Sequence, residues 1–383
     1  MRILIAPGAF KHSLSAVEVA RAIERGLHAS TLEAQTTCLP VADGGNDTLE
    51  VLLEAAEDGR METVTVRDPL GRPVRAAYGL VEGGQTAIIE MAQASGIELI
   101  NKAERNPFKA SSYGTGQVMQ HALNAGARRF IVGLGGSATV DGGSGCLIAL
   151  GAKLFDENGR PVLRLGGEAL AKVATVDLSG LDERWRACEI QVAVDVDNPP
   201  LGERGAAAVF GPQKGASEAD IPRLEAGLAR FLRALEEATG RNVDGLVGGG
   251  AAGAMAAGLS AGLGGELASG VELVLERVGF EEALAKADLV ITGEGHLDGQ
   301  TAEGKTPYGV ARRAAERGVP TVAVCGGLSA SPAMLRAAGF VAALPVVDRP
   351  MPTEIALLDA GELVERAGHR LGNLVQLGIA FVR

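Results

Sequence analysis

Aromatic side chains are scarce in this 383-residue chain, which has 9 Phe, 3 Tyr and 1 Trp. The apolar share of 46% therefore rests mainly on Ala, Leu and Val. Glycine occurs 54 times, about twice its average share of about 7%. The glycines have no every-third-residue spacing, which excludes collagen, and the apolar share excludes a disordered chain. The composition predicts close packing of small residues and many tight turns.

A basic excess is also absent, since 36 Lys and Arg face 47 Asp and Glu for a net charge of −11. Basic residues come in pairs and never in long runs, which argues against a nucleic-acid partner. Small anions are compatible with this charge because backbone N–H groups bind them. Four cysteines form no C-x-x-C pair and five histidines form no zinc signature. We therefore expect reduced thiols and a cytoplasmic protein.

Long apolar runs are missing, with one exception. Residues 245–265 carry no charge over 21 positions, a length that could span a bilayer. Nine of these positions are Gly and six are Ala, so the segment is only weakly hydrophobic. We interpret it as a packed Gly/Ala helix with a glycine loop and expect no membrane partner. The apolar run at 3–6 is cut by Pro7 and is too short for a signal peptide.

The two ends of the chain share one pattern and the middle has another. Strand-like and helix-like runs alternate at both ends, and a capping box from Ser15 to Glu18 opens the first helix. Short strand-like runs separated by turns follow in the middle. The pattern predicts an α/β domain made from residues 1–62 and 286–383, with a parallel sheet. Residues 63–285 would form an inserted second α/β domain with a mixed sheet.

Glycines cluster with hydroxyl and carboxyl side chains after the strand-like run 130–134. In open α/β sheets, ligands bind at the carboxyl ends of strands. Backbone amides freed by glycine suit a phosphate group, although a glycine-rich turn before a helix has the same appearance. The density of the motif favours phosphate binding, and the candidate residues are Gly135, Gly136, Ser137, Thr139 and Asp141.

Carboxylates follow two further strand-like runs. Asp195 and Asp197 come directly after a strand, where they suit Mg²⁺. One of them could instead be a general base, and an Asx-rich turn is the structural alternative. Glu294 and Asp298 follow a later strand and could bind metal or substrate. His296 between them could touch an anion, although a lone histidine in a loop is more often solvated.

Residues 299–306 match the Walker A pattern literally. That motif requires a strand running directly into its first glycine, and we place the end of the preceding strand near Thr292, too early for it. Glu303 would also put a negative charge inside the phosphate loop, and Pro307 marks the first turn of a helix. We interpret the match as a false positive, although Lys305 remains a candidate phosphate contact.

Three single residues stand in glycine-rich loops. Asp43 precedes two glycines and could bind ligand or cap a helix. Lys214 lies in a rigid Gly/Pro loop, and Lys11 follows the first strand. Each lysine could contact an anion or simply be solvated.

Taken together and in order, these loops resemble those of the bacterial glycerate kinases of the two-domain, non-Walker class. The resemblance spans nearly the whole chain, through AP at 6–7, FK at 10–11, SLSA at 13–16, VADGG at 41–45, YGTG at 113–116, GGSAT at 135–139, DVDNP at 195–199, VFGPQKG at 209–215, TGEG at 292–295 and DGQT at 298–301. It implies a flavodoxin-like domain made from both chain ends, an inserted second domain and a cleft between them. It also implies ATP- and Mg²⁺-dependent phosphorylation of D-glycerate to 2-phosphoglycerate; a homodimer is compatible with it.

On this resemblance, Gly135, Gly136, Ser137, Thr139, Asp141 and Lys214 would contact ATP. Asp195, Lys11 and Asp43 would be catalytic. Asp195, Asp197 and Glu294 would hold the metal. Glu294, Asp298, Gln300 and Lys305 would contact the substrate.

The chain departs from the family pattern in four loops. Gly8-Ala9 replaces Asp-Ser, Asn46-Asp47 replaces Glu-Gly, Val140 replaces Asn, and His296 replaces a basic residue. These departures keep two alternatives open: a kinase for another small hydroxy acid, and a ligand-binding homologue with impaired catalysis. A P-loop NTPase is the least favoured alternative.

Overall fold

A computed structural model describes residues 1–298 and 305–382, and its contacts divide the chain into two units. Unit 1 comprises Met1–Asp43, Glu50–Ala55 and Val271–Arg383, and unit 2 comprises Gly44–Leu49 and Ala56–Gly270. The predicted boundaries were 62/63 and 285/286. Contacts therefore group residues 271–285 with the chain ends, whereas the sequence pattern gave them to the insertion.

The strands of both units are short, as the frequent turns predict. They are β1 (Arg2–Ile5), β2 (Gln35–Cys38), β3 (Arg60–Arg67), β4 (Pro73–Val81), β5 (Thr86–Glu90), β6 (Arg129–Gly133), β7 (Lys153–Phe155), β8 (Thr175–Asp177), β9 (Glu189–Val194), β10 (Glu266–Ser269), β11 (Leu289–Leu297), β12 (Thr321–Leu328) and β13 (Phe340–Pro345).

The helices vary more in length than the strands. They are α1 (Ala16–His28), α2 (Thr48–Ala55), α3 (Ala92–Ser95), α4 (Tyr113–Asn124), α5 (Ser144–Ala149), α6 (Gly167–Leu170), α7 (Ala206–Phe210), α8 (Ile221–Thr239), α9 (Ala251–Leu263), α10 (Gly270–Arg277), α11 (Phe280–Leu284), α12 (Thr306–Glu316), α13 (Pro332–Ala337), α14 (Thr353–Leu358) and α15 (Ala360–Val382).

Unit 1 is built on a parallel sheet with the strand order β13-β12-β11-β1-β2. Numbered within the unit, this is the 2-1-3-4-5 order of flavodoxin-like folds. Ile3 pairs with Leu289 and with Thr36, so β1 has a strand on each side. The predicted flavodoxin-like domain made from both chain ends is confirmed. Its topological switch point lies between β1 and β11, where ligands bind in folds of this kind.

Unit 2 contains the mixed sheet β10-β9-β6-β5-β4-β3. The pairs β3–β4 and β4–β5 are antiparallel, whereas β5, β6, β9 and β10 run parallel. The predicted mixed sheet is confirmed. Because β6 and β9 are parallel neighbours, the loops that follow Gly133 and Val194 leave the sheet at the same edge.

Helix α1 shows how local sequence sets an element of unit 1. The side chain of Ser15 accepts from the N–H of Glu18, and the Glu18 carboxylate accepts from the N–H of Ser15, which confirms the predicted capping box. The helix buries Val19 and Ile23 in a core with α15. Gly26 lies so close to α15 that an added Cβ would be 2.0 Å from the carbonyl oxygen of Glu365.

The uncharged segment 245–265 forms the buried helix α9, with Met255 and Leu259 at 0% exposure. The prediction of a packed Gly/Ala helix is confirmed. In the part of the chain that the structure describes, no helix has both the length and the hydropathy of a membrane span.

Replacement of Gly26 by Ala should destabilise unit 1, because the new methyl group would overlap the backbone of α15. We expect the free energy of unfolding to fall by about 1–3 kcal/mol, measured by calorimetry or urea unfolding. Gly378 is the matched control, since a Cβ there meets nothing within 4 Å. Gly378→Ala should raise stability by up to about 1 kcal/mol. Equal stability of the two variants would contradict close helix packing at Gly26.

Candidate functional site

A pocket of about 290 Å³ in unit 2 opens where β6 and β9 end. Three of the predicted phosphate-loop residues line it, together with Lys214 and Asp195. The lining residues are Ile97, Leu134, Gly135, Gly136, Ser137, Asp195, Val196, Phe210, Gln213, Lys214, Ala251 and Ala252. The structure therefore brings several of the candidate residues together at strand ends, where ligands are expected.

Lys214 is the buried cation of this pocket, with 2% of its surface exposed. Its Nζ donates to Ser137 Oγ and to the carbonyl oxygen of Thr139, both at 2.8 Å. Burial lowers the pKa of Lys214 to about 7, and the negative charge of Asp141 acts in the opposite direction. The lysine thus fixes the glycine-rich loop and brings a titratable charge to the pocket.

Two predicted phosphate contacts lie beneath the loop rather than on its surface. Thr139 is completely buried, and its hydroxyl donates to the carbonyl oxygen of Ala252 at 3.5 Å. Asp141 is also completely buried, and its carboxylate accepts from the N–H groups of Ser112 and Gly143 at 2.8 and 3.1 Å. We therefore correct both assignments: these side chains support the loop, because neither is open to a ligand.

The start of α9 braces the same loop in a way the sequence did not reveal. Ala252, Gly253 and Ala254 have φ values of 54°, 67° and 65°, a left-handed turn that costs energy for alanine. The carbonyl oxygen of Gly253 accepts from the N–H of Gly142 at 2.9 Å. A Cβ on Gly253 would lie 2.1 Å from the carbonyl oxygen of Thr139. The sequence shows Gly253 only as one of nine glycines in the uncharged run 245–265, and nothing in it marks this turn.

The two carboxylates after β9 differ in their surroundings. Asp195 lines the pocket, whereas Asp197 forms an ion pair with Arg204, whose Nη2 is 2.8 Å from both carboxylate oxygens. Among the described residues, no three Asp, Glu, His or Cys side chains come close enough to hold a metal ion. Asp197 is paired with arginine, and the metal set of Asp195, Asp197 and Glu294 stays a prediction.

In unit 1, Glu294 lies on β11 beside the switch point. Its side chain is only 15% exposed, and one oxygen is 3.7 Å from the Nζ of Lys305. The other oxygen, Oε1, is buried and has no hydrogen-bond partner among the residues that the structure describes. Burial raises the pKa of Glu294 to about 7. Lys305 and Lys11 act against this rise and Asp298 and Asp43 add to it, so all four predicted residues lie within electrostatic range of Glu294.

Of the Walker-like segment 299–306, the structure describes Lys305 and Thr306, whereas Gln300 and the rest of 299–304 lie outside the described residues. Strand β11 continues to Leu297, so the argument from an early strand end at Thr292 was wrong. Thr306 begins α12 and is 5% exposed, packed against the backbone of Gly8. In a Walker A motif the hydroxyl of this residue binds Mg²⁺. The Thr306 side chain is instead packed inside unit 1.

The departures from the family pattern have local structural counterparts. Asp47 has a φ of 71°, a conformation that the glycine of the family pattern adopts without strain. Gly8 leaves a space that Thr306 fills, Val140 is completely buried, and His296 bonds to Ser329 Oγ at 2.9 Å. His296 is exposed, and its hydrogen bond goes to the residue that directly follows β12.

Known proteins match both the sequence and the fold. The model of the Glycerate kinase family matches residues 3–376. A glycerate kinase from Halalkalibacterium halodurans is 45% identical over 96% of this chain and 97% of its own length. The glycerate 2-kinase of Escherichia coli K12 is 42% identical over 99% of both chains.

A crystal structure from Salmonella typhimurium LT2, assigned as a glycerate kinase 2, superimposes with a TM-score of 0.87. It is 44% identical and covers 99% of each chain. These matches extend over nearly the whole length of both units and agree with the flavodoxin-like strand order. The chain belongs to the glycerate kinase family and is an ATP-dependent kinase that phosphorylates glycerate.

Proposed function

We propose that the acceptor is the 2-hydroxyl of D-glycerate, that unit 2 binds MgATP in its pocket, and that unit 1 binds glycerate around Glu294. The observation that carries the nucleotide assignment is the buried ammonium group of Lys214 on the Gly135–Ser137 loop. The name of the Escherichia coli relative supports the 2-position. Four free cysteines support a reducing compartment such as the cytoplasm.

In the unit 2 pocket, the phosphate chain would lie against backbone N–H groups of Gly135 and Gly136. Lys214 would supply positive charge next to them, since its Nζ already faces the loop through Ser137 Oγ. Phosphoryl transfer depends on positioning and charge neutralisation more than on covalent chemistry. A rigid loop with one buried cation supplies both.

The residues present fit a magnesium ion that is bound chiefly through the nucleotide. Mg²⁺ usually keeps several waters and uses one or two carboxylates plus substrate phosphates. Asp195 provides such a carboxylate in the pocket wall, and Asp197 does not compete because it is paired with Arg204. When bound, the ion would neutralise charge on the phosphates.

In unit 1, glycerate meets charges of both signs. Lys11 and Lys305 would attract its carboxylate, and Asp43 and Asp298 would accept hydrogen bonds from its hydroxyl groups. Glu294 has a buried oxygen without a hydrogen-bond partner in the described part of the chain. We assign Glu294 as the acceptor of the proton that leaves the attacking hydroxyl. This replaces its predicted role as a metal ligand.

Product analysis tests the proposed reaction directly. Incubation with MgATP and D-glycerate should give ADP and 2-phosphoglycerate in equal amounts, identified by ³¹P NMR of the reaction mixture. A panel of other small hydroxy acids serves as the control, and we expect slower turnover with each. Binding of glycerate without ADP release would instead favour the impaired homologue, and 3-phosphoglycerate would refute the assigned position.

Asp195→Asn should raise the KM for MgATP and the Mg²⁺ concentration needed for half-maximal rate by about tenfold or more, because the carboxylate in the pocket is lost. Asp197→Asn is the matched control two residues away, and its Mg²⁺ response should stay near that of the wild type. Steady-state rates over a magnesium titration measure both. A normal response in Asp195→Asn, together with loss of nucleotide binding in Lys305→Met, would place the phosphates on the Walker-like segment instead.

Glu294→Gln should lower kcat by about 10²–10⁴-fold, the usual contribution of a general base. With a pKa near 7, Glu294 is protonated and inactive as a base below that pH. In the wild type, kcat/KM for glycerate should therefore fall as the pH drops through about 7, and this dependence should vanish in the variant. Glu33→Gln, at an exposed site in the same unit, should retain it. An unchanged pH profile in Glu294→Gln would exclude this role.

A further inference from the structure

Asp141 is fully buried but is bonded as a carboxylate. Its Oδ2 accepts from the N–H and Oγ of Ser112 at 2.8 and 2.9 Å and from the N–H of Gly145 at 3.4 Å. Its Oδ1 accepts from the N–H of Gly143 at 3.1 Å. The oxygen of Ser112 already accepts from the N–H of Cys146, so its proton points at Asp141. A protonated carboxyl group would need an acceptor, and all four neighbouring groups donate.

The opposing effects on Asp141 are clear in direction. Burial is the larger effect and raises the pKa of Asp141 above its usual range, while the four hydrogen bonds act against this rise and favour the ionised form. The nearby thiol of Cys146 does not compensate the charge, because burial and Asp141 itself raise the pKa of that thiol. The carboxylate is therefore a negative charge that its own contacts stabilise but do not neutralise.

Lys214 is a buried positive group, and its charge, like that of Asp141, is not neutralised by its hydrogen-bond partners. Its two hydrogen bonds go to the neutral oxygens of Ser137 and Thr139, and within the described residues it forms no direct ion pair. Arg105, which donates to the carbonyl oxygen of Gln213, lies next to the lysine loop, and Asp195 lies across the pocket wall. Asp141 is the charged group that opposes the effect of burial on Lys214.

One loop joins the two groups. Lys214 contacts Ser137 and Thr139, and Asp141 follows two residues after Thr139. The hydrogen bonds of Asp141 connect the end of that loop to Ser112, which directly precedes α4, and to Gly145 in the first turn of α5. The same carboxylate thus fixes the path of the loop through its hydrogen bonds and acts on Lys214 through its negative charge.

We propose that Asp141 is a positioning residue for the nucleotide, which acts through Lys214 as the buried counter-charge that keeps this lysine cationic at the pocket. The inference rests on the proposed nucleotide site, because it gives Asp141 its effect on MgATP through the lysine. It adds a residue that touches neither nucleotide nor substrate and whose removal changes the pH range in which the pocket binds phosphate.

The first experiment measures the lysine itself. In protein labelled with ¹³Cε-lysine, the Lys214 signal is assigned by its absence in Lys214→Met, and its titration is followed by NMR. Asp141→Asn should lower the Lys214 titration midpoint by about half a pH unit or more, because a nearby opposite charge favours the cation. Ser112→Ala is the matched control, since it removes a hydrogen bond from the same network but no charge. A midpoint that shifts equally in both variants, or in neither, would overturn the proposal.

The second experiment measures the kinase reaction. In the wild type, kcat/KM for MgATP should fall as the pH rises above the Lys214 midpoint, because the neutral amine attracts phosphate less. In Asp141→Asn the fall should begin at lower pH, while Ser112→Ala should keep the wild-type profile. Lys214→Met should lose this dependence, and Lys172→Met, at an exposed site of unit 2, should retain it.

The two experiments fail differently. If Lys214→Met leaves kcat/KM for MgATP unchanged, the nucleotide assignment is wrong, whereas the NMR titration still decides whether Asp141 controls the lysine. Should Asp141→Asn fold poorly, the double variant Asp141→Asn/Lys214→Met gives a second measurement. The two changes should lower the melting temperature by less than the sum of their separate effects, because each alone leaves an uncompensated buried group. Strictly additive losses would overturn the proposal.

Discussion

Backbone packed directly on backbone is the constraint on which the unit 2 site depends. A Cβ on Gly135 would lie 2.4 Å from the Cα of Gly45, and one on Gly258 would lie 1.9 Å from the carbonyl oxygen of Gly142. The loop after β6 therefore has other chain segments pressed against both of its sides. Its peptide groups are held in place without large side chains, which leaves them open to a ligand on the pocket side. Glycine is therefore required at these two positions.

Burial shifts the pKa of one key side chain in each unit, in opposite directions. In unit 2, burial pushes a lysine toward its neutral form, and in unit 1 it pushes a glutamate toward its neutral form. Desolvation disfavours whichever form is charged. Each group is then balanced by neighbours of opposite sign, Asp141 for Lys214 and the two lysines for Glu294. Both groups consequently have a pKa of about 7, so each gains or loses a proton near neutral pH.

Much of the fold could be predicted from local sequence, because its signals are local. The Ser15–Glu18 capping box and the strand that directly precedes Asp195 were both identified from the sequence. The flavodoxin-like order followed from the family resemblance rather than from periodicity. The end of β11 was misplaced because glycines in the Thr292–Gly295 stretch look like a turn, although they continue the strand.

The site was harder to predict, because exposure is a property of the packed structure. Thr139 and Asp141 belong to the same motif as Ser137, yet only Ser137 lines the pocket. The pairing of Asp197 with Arg204 depends on how the following loop turns back. The left-handed turn at Ala252 and Ala254 violates the conformational preference of alanine, so no propensity could have indicated it.

The position of β1 has a consequence for how the chain folds as it is synthesised. β1 needs β11 as a neighbour, and Thr292 donates to the carbonyl oxygen of Ala6 across 286 residues. At typical translation speeds the first strand waits on the order of tens of seconds for that partner. Unit 2, which is nearly contiguous from Ala56 to Gly270, leaves the ribosome earlier. On the nascent chain, Ile3, Leu4 and Ile5 can pair with β2 early, but they lack their β11 neighbours until residues 289–291 have been synthesised.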